Sequence, residues 1–208
     1  MADKIAWTGR LLGVQPRIRL IRSFDERHHE YKGFVLRVDG FMGGEAGTFS
    51  VAVGPSVHDR YEPKAGDRVE GVCLPVADAR KEEADYYKVS GFRVTERGPA
   101  PPEPPPWLGA PPDLTTYRER GHRRLAARTY ETKCANCIWG CRMPVELIVD
   151  HWNPSKVRHR FETFCYGPKY CPLYKPGPKR QVPGRGGQSF VEEDWVDEQA
   201  VEHRGPDE

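Results

Sequence analysis

Four cysteines in two pairs, Cys134-x2-Cys137 and Cys165-x5-Cys171, separated by twenty-seven residues, place the strongest constraint on how this chain folds. Between the pairs, Val145, Leu147 and Val149 alternate with Glu146 and Asp150. Asn153-Pro154-Ser155-Lys156 supplies turn chemistry, and the alternation resumes from Val157 to Phe164. The pattern predicts a β-hairpin with one cysteine pair at the open end of each strand. A tetrahedral site of four thiolates needs two short chelating turns brought together, and a hairpin joining them does so at little extra loop-closure cost.

This segment resembles a zinc ribbon, with one departure: the second pair is spaced by five residues instead of two, and Gly167-Pro168 is placed to fold the insertion into a turn. The resemblance implies Zn²⁺ on Cys134, Cys137, Cys165 and Cys171. Cys141 opens an alternative, because Cys134-x2-Cys137-x3-Cys141 is a triad suited to a 4Fe-4S cluster with Cys165 or Cys171 as fourth ligand. Pro172, directly after Cys171, suits that second reading. Unmetallated or disulfide-linked cysteines are the third. His151, near the hairpin bend, lies at the wrong end for a ligand and reads as a strand surface residue.

Eight prolines within residues 99–112 predict an extended, semi-rigid spacer that divides the chain. Before it, β-rich runs follow one another: Ile5 to Leu12, Arg17 to Arg22, Tyr31 to Asp39, Thr48 to Val53, Asp67 to Val76 and Tyr86 to Val94. Glycines from Gly40 to Gly47 and a short helix near Pro55 to Tyr61 separate them, and Phe34, Phe49 and Phe92 read as core. Five or six strands in about a hundred residues fit a small closed barrel. This half resembles an OB-fold, on the Gly66-Asp67-Arg68-Val69-Glu70-Gly71 strand entry and the final strand Tyr86 to Val94. The resemblance implies a face for single-stranded nucleic acid, or for a protein partner held through the barrel. The expected fold class is thus mainly β: an OB-like small β-barrel (1–98), the proline-rich linker (99–112), a basic helix (113–130), a four-cysteine, zinc-ribbon-like hairpin domain (131–176) and a flexible basic then acidic tail (177–208).

Charge is balanced in the first half, with sixteen Lys/Arg against fifteen Asp/Glu in residues 1–98. Arg17, Arg19, Arg22, Lys32, Arg37, Lys88 and Arg93 alternate with core positions there, as a basic stripe or an ordinary solvated surface. It separates in the second half: residues 117–185 carry fifteen Lys/Arg and five Asp/Glu, a net of +10, whereas residues 192–208 carry eight acids against Arg204, a net of −7. A concentrated basic segment can condense on a phosphate backbone and release counterions. Leu114 to Tyr130 reads as a helix capped by Asp113 or Thr115 and studded with Arg118, Arg120, Arg123, Arg124 and Arg128, with Gly121 as its weak point. Aromatic residues interleave with cations further on, which suits sequence-tolerant base stacking. The expected phosphate contacts are Arg123, Arg124, Lys156, Arg158 and Arg160, and the expected stacking residues are Trp152, Tyr166 and Tyr170. Trp139 and Phe164, beside cysteines, read as enclosing the metal.

Catalytic signatures are thin. There is no Walker-type loop, no Gly-x-Ser-x-Gly elbow and no dinucleotide fingerprint after a strand. His28-His29 near Glu26 and Glu30 reads as a solvated loop before a metal site. Nothing in the sequence predicts a membrane span, and Met1-Ala2-Asp3-Lys4-Ile5 has neither a basic nor an apolar leader region, so a reducing cytoplasm is the expected compartment. The reading is a non-catalytic, zinc-containing binder of single-stranded DNA or RNA, with a protein-assembly adaptor and an iron–sulfur electron-transfer subunit as alternatives.

Overall fold

In the computed structural model, which describes residues 3–23, 26–150, 152–153, 155–184 and 187–205, one long strand organises both halves of the chain. This strand, β1 (Ile5–Arg22), is eighteen residues long and runs through the gap expected between two shorter runs. It pairs antiparallel along its length with β2 (Arg27–Met42). Pro16 is tolerated because the other edge of β1 carries a partner only at its two ends, leaving no ladder bond for Pro16 to break.

Strand β3 (Glu45–Val53) returns from β2 through Gly43 and Gly44, whose φ angles of 59° and 94° suit glycine. The turn is therefore tighter than the glycine run suggests, and Gly40 and Gly47 pair with each other inside the strands. Helix α1 (Pro55–Tyr61) follows, with proline at its start as expected. Strands β4 (Arg68–Pro75) and β5 (Tyr86–Glu96) pair antiparallel, β5 meets β3 at Val51↔Tyr86, and β4 pairs with the first part of β1. The pairings of these five strands thus run β1–β2–β3–β5–β4 and return to β1. Phe34, Phe49 and Phe92 are all buried there, with Trp7, Leu11, Leu36, Val38 and Val69. Asp67, fully buried at the entry to β4, is satisfied by the Gly98 N–H at 2.8 Å and by Arg97 at 2.9 Å.

The proline segment is pinned along its second half, at Trp107, Leu108 and Pro111. Leu108 O accepts from Ala65 N–H, Trp107 O accepts from Ile138 N–H, and Pro111 O lies 2.7 Å from His58 Nε2. Helix α2 (Leu114–Arg120) is capped by Asp113, which accepts from Thr116 N–H at 2.8 Å. The helix expected to reach Tyr130 stops at Gly121, where φ is 65° and a Cβ would lie 2.1 Å from Ala200 O. The chain then forms β6 (Arg123–Arg124), α3 (Ala127–Thr129) and a π turn over Tyr130–Cys134.

The expected hairpin is β7 (Gly140–Ile148) and β8 (Val157–Cys165), antiparallel throughout. Its first strand starts earlier than the alternation shows, because Gly140 to Pro144 are buried nearly without interruption. Its bend includes His151 and Pro154, which lie outside the described residues. Parallel pairing of β7 with the far end of β1, Leu20↔Val145 to Arg22↔Leu147, joins all eight strands into one mixed sheet. The two halves are therefore continuous in hydrogen bonding, and Tyr117, Cys141, Met143 and Tyr166 belong to the same core as Phe34 and Leu36.

The segment expected to be a flexible tail is folded where it is described. Strands β9 (Arg180–Pro183) and β10 (Ser189–Glu192) form a two-stranded sheet, and α4 (Trp195–Val201) follows. Arg185 and Gly186, and the acidic residues Asp207 and Glu208, lie outside the described residues. Among the described residues no helix is long and apolar enough to cross a membrane.

Candidate cysteine cluster and basic groove

Two turns carry the cysteine pairs. Cys137 N–H donates to Cys134 O and Gly140 N–H to Cys137 O, each at 3.0 Å, so the first pair lies on consecutive tight turns between the π turn and β7. Backbone N–H groups of Trp139 and Trp107 oppose the rise of the Cys137 thiol caused by burial. At the second pair, Gly167 N–H donates to Cys165 Sγ at 3.4 Å, and Cys171 N–H closes a turn on Pro168 O.

Cys134, Cys137 and Cys165 share one buried cluster. Burial is the main cause that pushes the Cys134 thiol up to about 12, and charge on Cys137, Cys165 and Cys171 adds to it. The Cys137 thiol is pushed up to about 11 by burial, with Cys165 and Cys171 again adding. Cys171 lies outside that buried cluster, half-exposed on the loop after Cys165, and all six cysteines of the chain are free of disulfides. In this arrangement no three His, Cys, Asp or Glu side chains among the described residues stand close enough to share an ion.

Cys141 lies elsewhere. It is buried in the large core with its thiol 3.5 Å from Pro16 O, and the triad with Cys134 and Cys137 gains no support from that position. Trp139 packs against both clusters, as expected of an enclosing residue, and Phe164 is buried in the large core.

Sequence reading missed the residue that holds the first turn. Gln15, from the middle of β1, donates through Nε2 to both Cys134 O and Cys137 O at 2.8 Å, while its Oε1 accepts from Tyr130 OH at 2.7 Å. Gly13 permits this approach, since a Cβ there would lie 2.4 Å from Asn136 O. No local signal marks Gln15, because its partners are about 120 residues away in sequence.

Of the expected nucleic-acid contacts, the structure brings four together. Trp152, Lys156, Arg158 and Arg160 line a groove of about 760 Å³ between the end of the β7–β8 hairpin and the β9–β10 sheet, with His159, Gln181, Gln188 and Asp150. Trp152 is 86% exposed. Lys156 and Arg158 are exposed. Arg160 is tethered, to Glu162 at 2.5 Å and to Gln181 O at 2.9 Å.

The other four lie outside the groove. Arg124 is only 2% exposed and is held by Asp194 and Asp197 at 2.6 Å each. Arg123 stacks 3.9 Å over the Tyr174 ring and donates to Pro168 O, clamping the loop between Cys165 and Cys171. Tyr166 is fully buried edge-on to Tyr117 and cannot reach a base. Tyr170 is exposed, on the cysteine loop. Five of the seven cations that could form a stripe on the first half are ion-paired: Arg17 with Glu82, Arg19 with Glu146, Arg22 with Glu192, Lys32 with Glu30 and Arg93 with Glu70.

No family model, no curated protein and no solved structure matches this chain. The residues themselves carry the functional reading.

Proposed function

We propose that this protein is a non-catalytic binder of single-stranded DNA or RNA, built from an OB-like barrel and a four-cysteine zinc module that share β1. The observation that carries the proposal is the groove in which an exposed indole, Trp152, lies with the exposed cations Lys156 and Arg158. A flat ring stacks on any base while adjacent cations take phosphates, so the expected binding is sequence-tolerant and salt-dependent. The barrel reading is supported by the closed order of pairings, with α1 between the third and fourth strands.

Zinc on Cys134, Cys137, Cys165 and Cys171 is supported by the donor set, by the two turns that present it and by backbone N–H groups that oppose the rise of the Cys137 thiol and donate to Cys165. When bound, the ion would supply structural cross-linking of the turns and no chemistry. Binding requires the thiols to draw closer than they stand.

The protein-adaptor reading keeps second place on one observation, the exposed apolar residues Phe190, Val191 and Trp195 on β10 and α4. Fluorescence anisotropy with labelled single-stranded oligonucleotides across a salt series separates the two. Binding that weakens steeply with salt is expected. Absence of binding to both DNA and RNA at low salt, with metallated protein, would hand the lead to the adaptor.

A further inference from the structure

A second cavity, of about 410 Å³, lies between β1, β2, the end of α2, β9 and α4, away from the groove. Its size falls in the range of small-molecule sites, roughly 300–1,000 Å³. Four guanidinium groups line it, from Arg22, Arg27, Arg118 and Arg180, against two carboxylates, Glu192 and Asp197. Asp197 is engaged by Arg124, Glu192 is shared by Arg22 and Arg27, and the buried Glu162 lies behind the wall, 3.7 Å from Arg22 and 3.2 Å from Arg180. His29 adds no positive charge near neutrality, because burial and the adjacent arginines push it down to about 4. With Glu162 counted, the four arginines still outnumber the carboxylates around the cavity by one.

Its buried polar atoms are incompletely partnered. Arg22, with a side chain 4% exposed, has no acceptor for Nε, and Arg180 has none for Nη1. His29 Nε2 is likewise buried without a partner. A buried polar atom left in this state is costly, and a polar ligand in the cavity would satisfy all three. Flat rings supply the remaining walls. The His29 and His122 rings lie 5.0 Å apart, His122 lies edge-on to Phe164 at 4.4 Å, and Arg118 sits 5.0 Å over the Tyr31 ring.

We infer that this cavity binds a nucleoside monophosphate, either free or as the phosphorylated end of a strand, its phosphate among Arg22, Arg27 and Arg180 and its base against the rings. A phosphate suits a cavity in which guanidinium groups outnumber carboxylates, and the rings match an aromatic base. This site goes beyond the groove and does not depend on it.

The test is calorimetric titration of the full chain with AMP, adenosine and inorganic phosphate, followed by anisotropy with oligonucleotides bearing a 5′-phosphate or a 5′-hydroxyl. AMP should bind at least about tenfold more tightly than either fragment. Arg27→Ala and Arg118→Ala, at partly exposed side chains, should each weaken AMP by about fivefold or more while leaving the melting temperature in place, and His29→Ala gives an independent variant. A 5′-phosphate preference abolished by these variants assigns the strand end as the source, and AMP binding without that preference assigns the free nucleotide. Lys156→Glu with Arg158→Glu should leave AMP affinity unchanged, so failure of the groove is read separately. Equal affinities for AMP and adenosine, or no AMP binding up to about 1 mM, would overturn the inference.

Discussion

Asp197 on α4 grips Arg124 on β6 at two points, accepting from the Arg124 backbone N–H at 3.1 Å and from its Nε at 2.6 Å, across seventy-three residues of sequence. Arg124 also donates to Asp194 Oδ1 and Glu192 O, so one buried guanidinium collects the acidic C-terminal segment. Around it, Glu192 pairs with Arg22 and Arg27, and Arg204 Nη1 donates to Tyr166 O and Gly167 O. Arg124 and Lys179 of the +10 segment pair with the acidic segment, and Arg22 and Arg27 join them from the first half of the chain.

Asp197→Ala removes two hydrogen bonds to Arg124 but leaves it Asp194 and Glu192 O, so it should destabilise the protein by about 1–3 kcal/mol, whereas Asp194→Ala, at an exposed carboxylate, should cost less. Urea unfolding checks both. Equal, small losses would mean that the C-terminal segment does not hold Arg124 in solution. Deleting residues 192–208 should unseat Arg22 and Arg124 and lower stability.

The metal prediction is about one zinc per chain. Cys134→Ser and Cys165→Ser should lose it and loosen the β7–β8 region, while Cys141→Ser should retain it, since that thiol lies in the separate core. Elemental analysis with an absorption spectrum decides. Brown protein that bleaches on Cys141→Ser would establish the cluster alternative instead.

In the groove, Trp152→Ala should weaken single-stranded oligonucleotides by about 1–3 kcal/mol, the usual worth of one stacked base. Lys156→Glu with Arg158→Glu should weaken all sequences alike and flatten the salt dependence by about one unit of slope per lost phosphate contact. Arg123→Ala should act on stability more than on affinity, because Arg123 is spent on the cysteine loop. Anisotropy and thermal melting, measured side by side, separate the two effects.

Glu83 gives a pH prediction. Burial pushes its carboxyl up to about 8 even though Arg142 lies 2.9 Å away and opposes the shift. Because the folded chain then holds a proton that the unfolded chain releases near 4.5, stability from this group is fully present below about 4.5 and is lost as pH rises through about 8. The loss is on the order of 3–5 kcal/mol. Glu83→Gln should flatten the fall in melting temperature between acidic and alkaline buffer. An identical fall in wild type and variant would remove Glu83 as its source.

Where a segment's partner lies within a few residues or on the next strand, its structure was legible in the sequence. The alternation of Tyr31 to Asp39, the proline start of α1 and the β7–β8 pattern each predict their element because burial on one face is what sets the period. Elements decided by distant contacts were not legible. Strand β1 passes through Pro16 because β2 pairs along it, the basic helix ends where Gly121 meets Ala200, and β6 exists because it pairs with Phe164 and Cys165. Of the candidate contacts, Trp152, Lys156, Arg158 and Arg160 line one groove at the hairpin end. Arg124 and Tyr166 were misread, because a cation or a tyrosine in a basic segment looks the same in sequence whether it faces solvent or an acidic segment folded over it.

Because β1 lends one edge to β4 at its start and to β7 at its end, the halves on either side of the proline segment cannot be separated without leaving a wound. A fragment beginning after the prolines would expose the Val145–Leu147 edge of β7, with its unpaired backbone groups open to another strand, a copy of itself included. Cutting at the most obvious boundary in the sequence would therefore turn a covered edge into a sticky one.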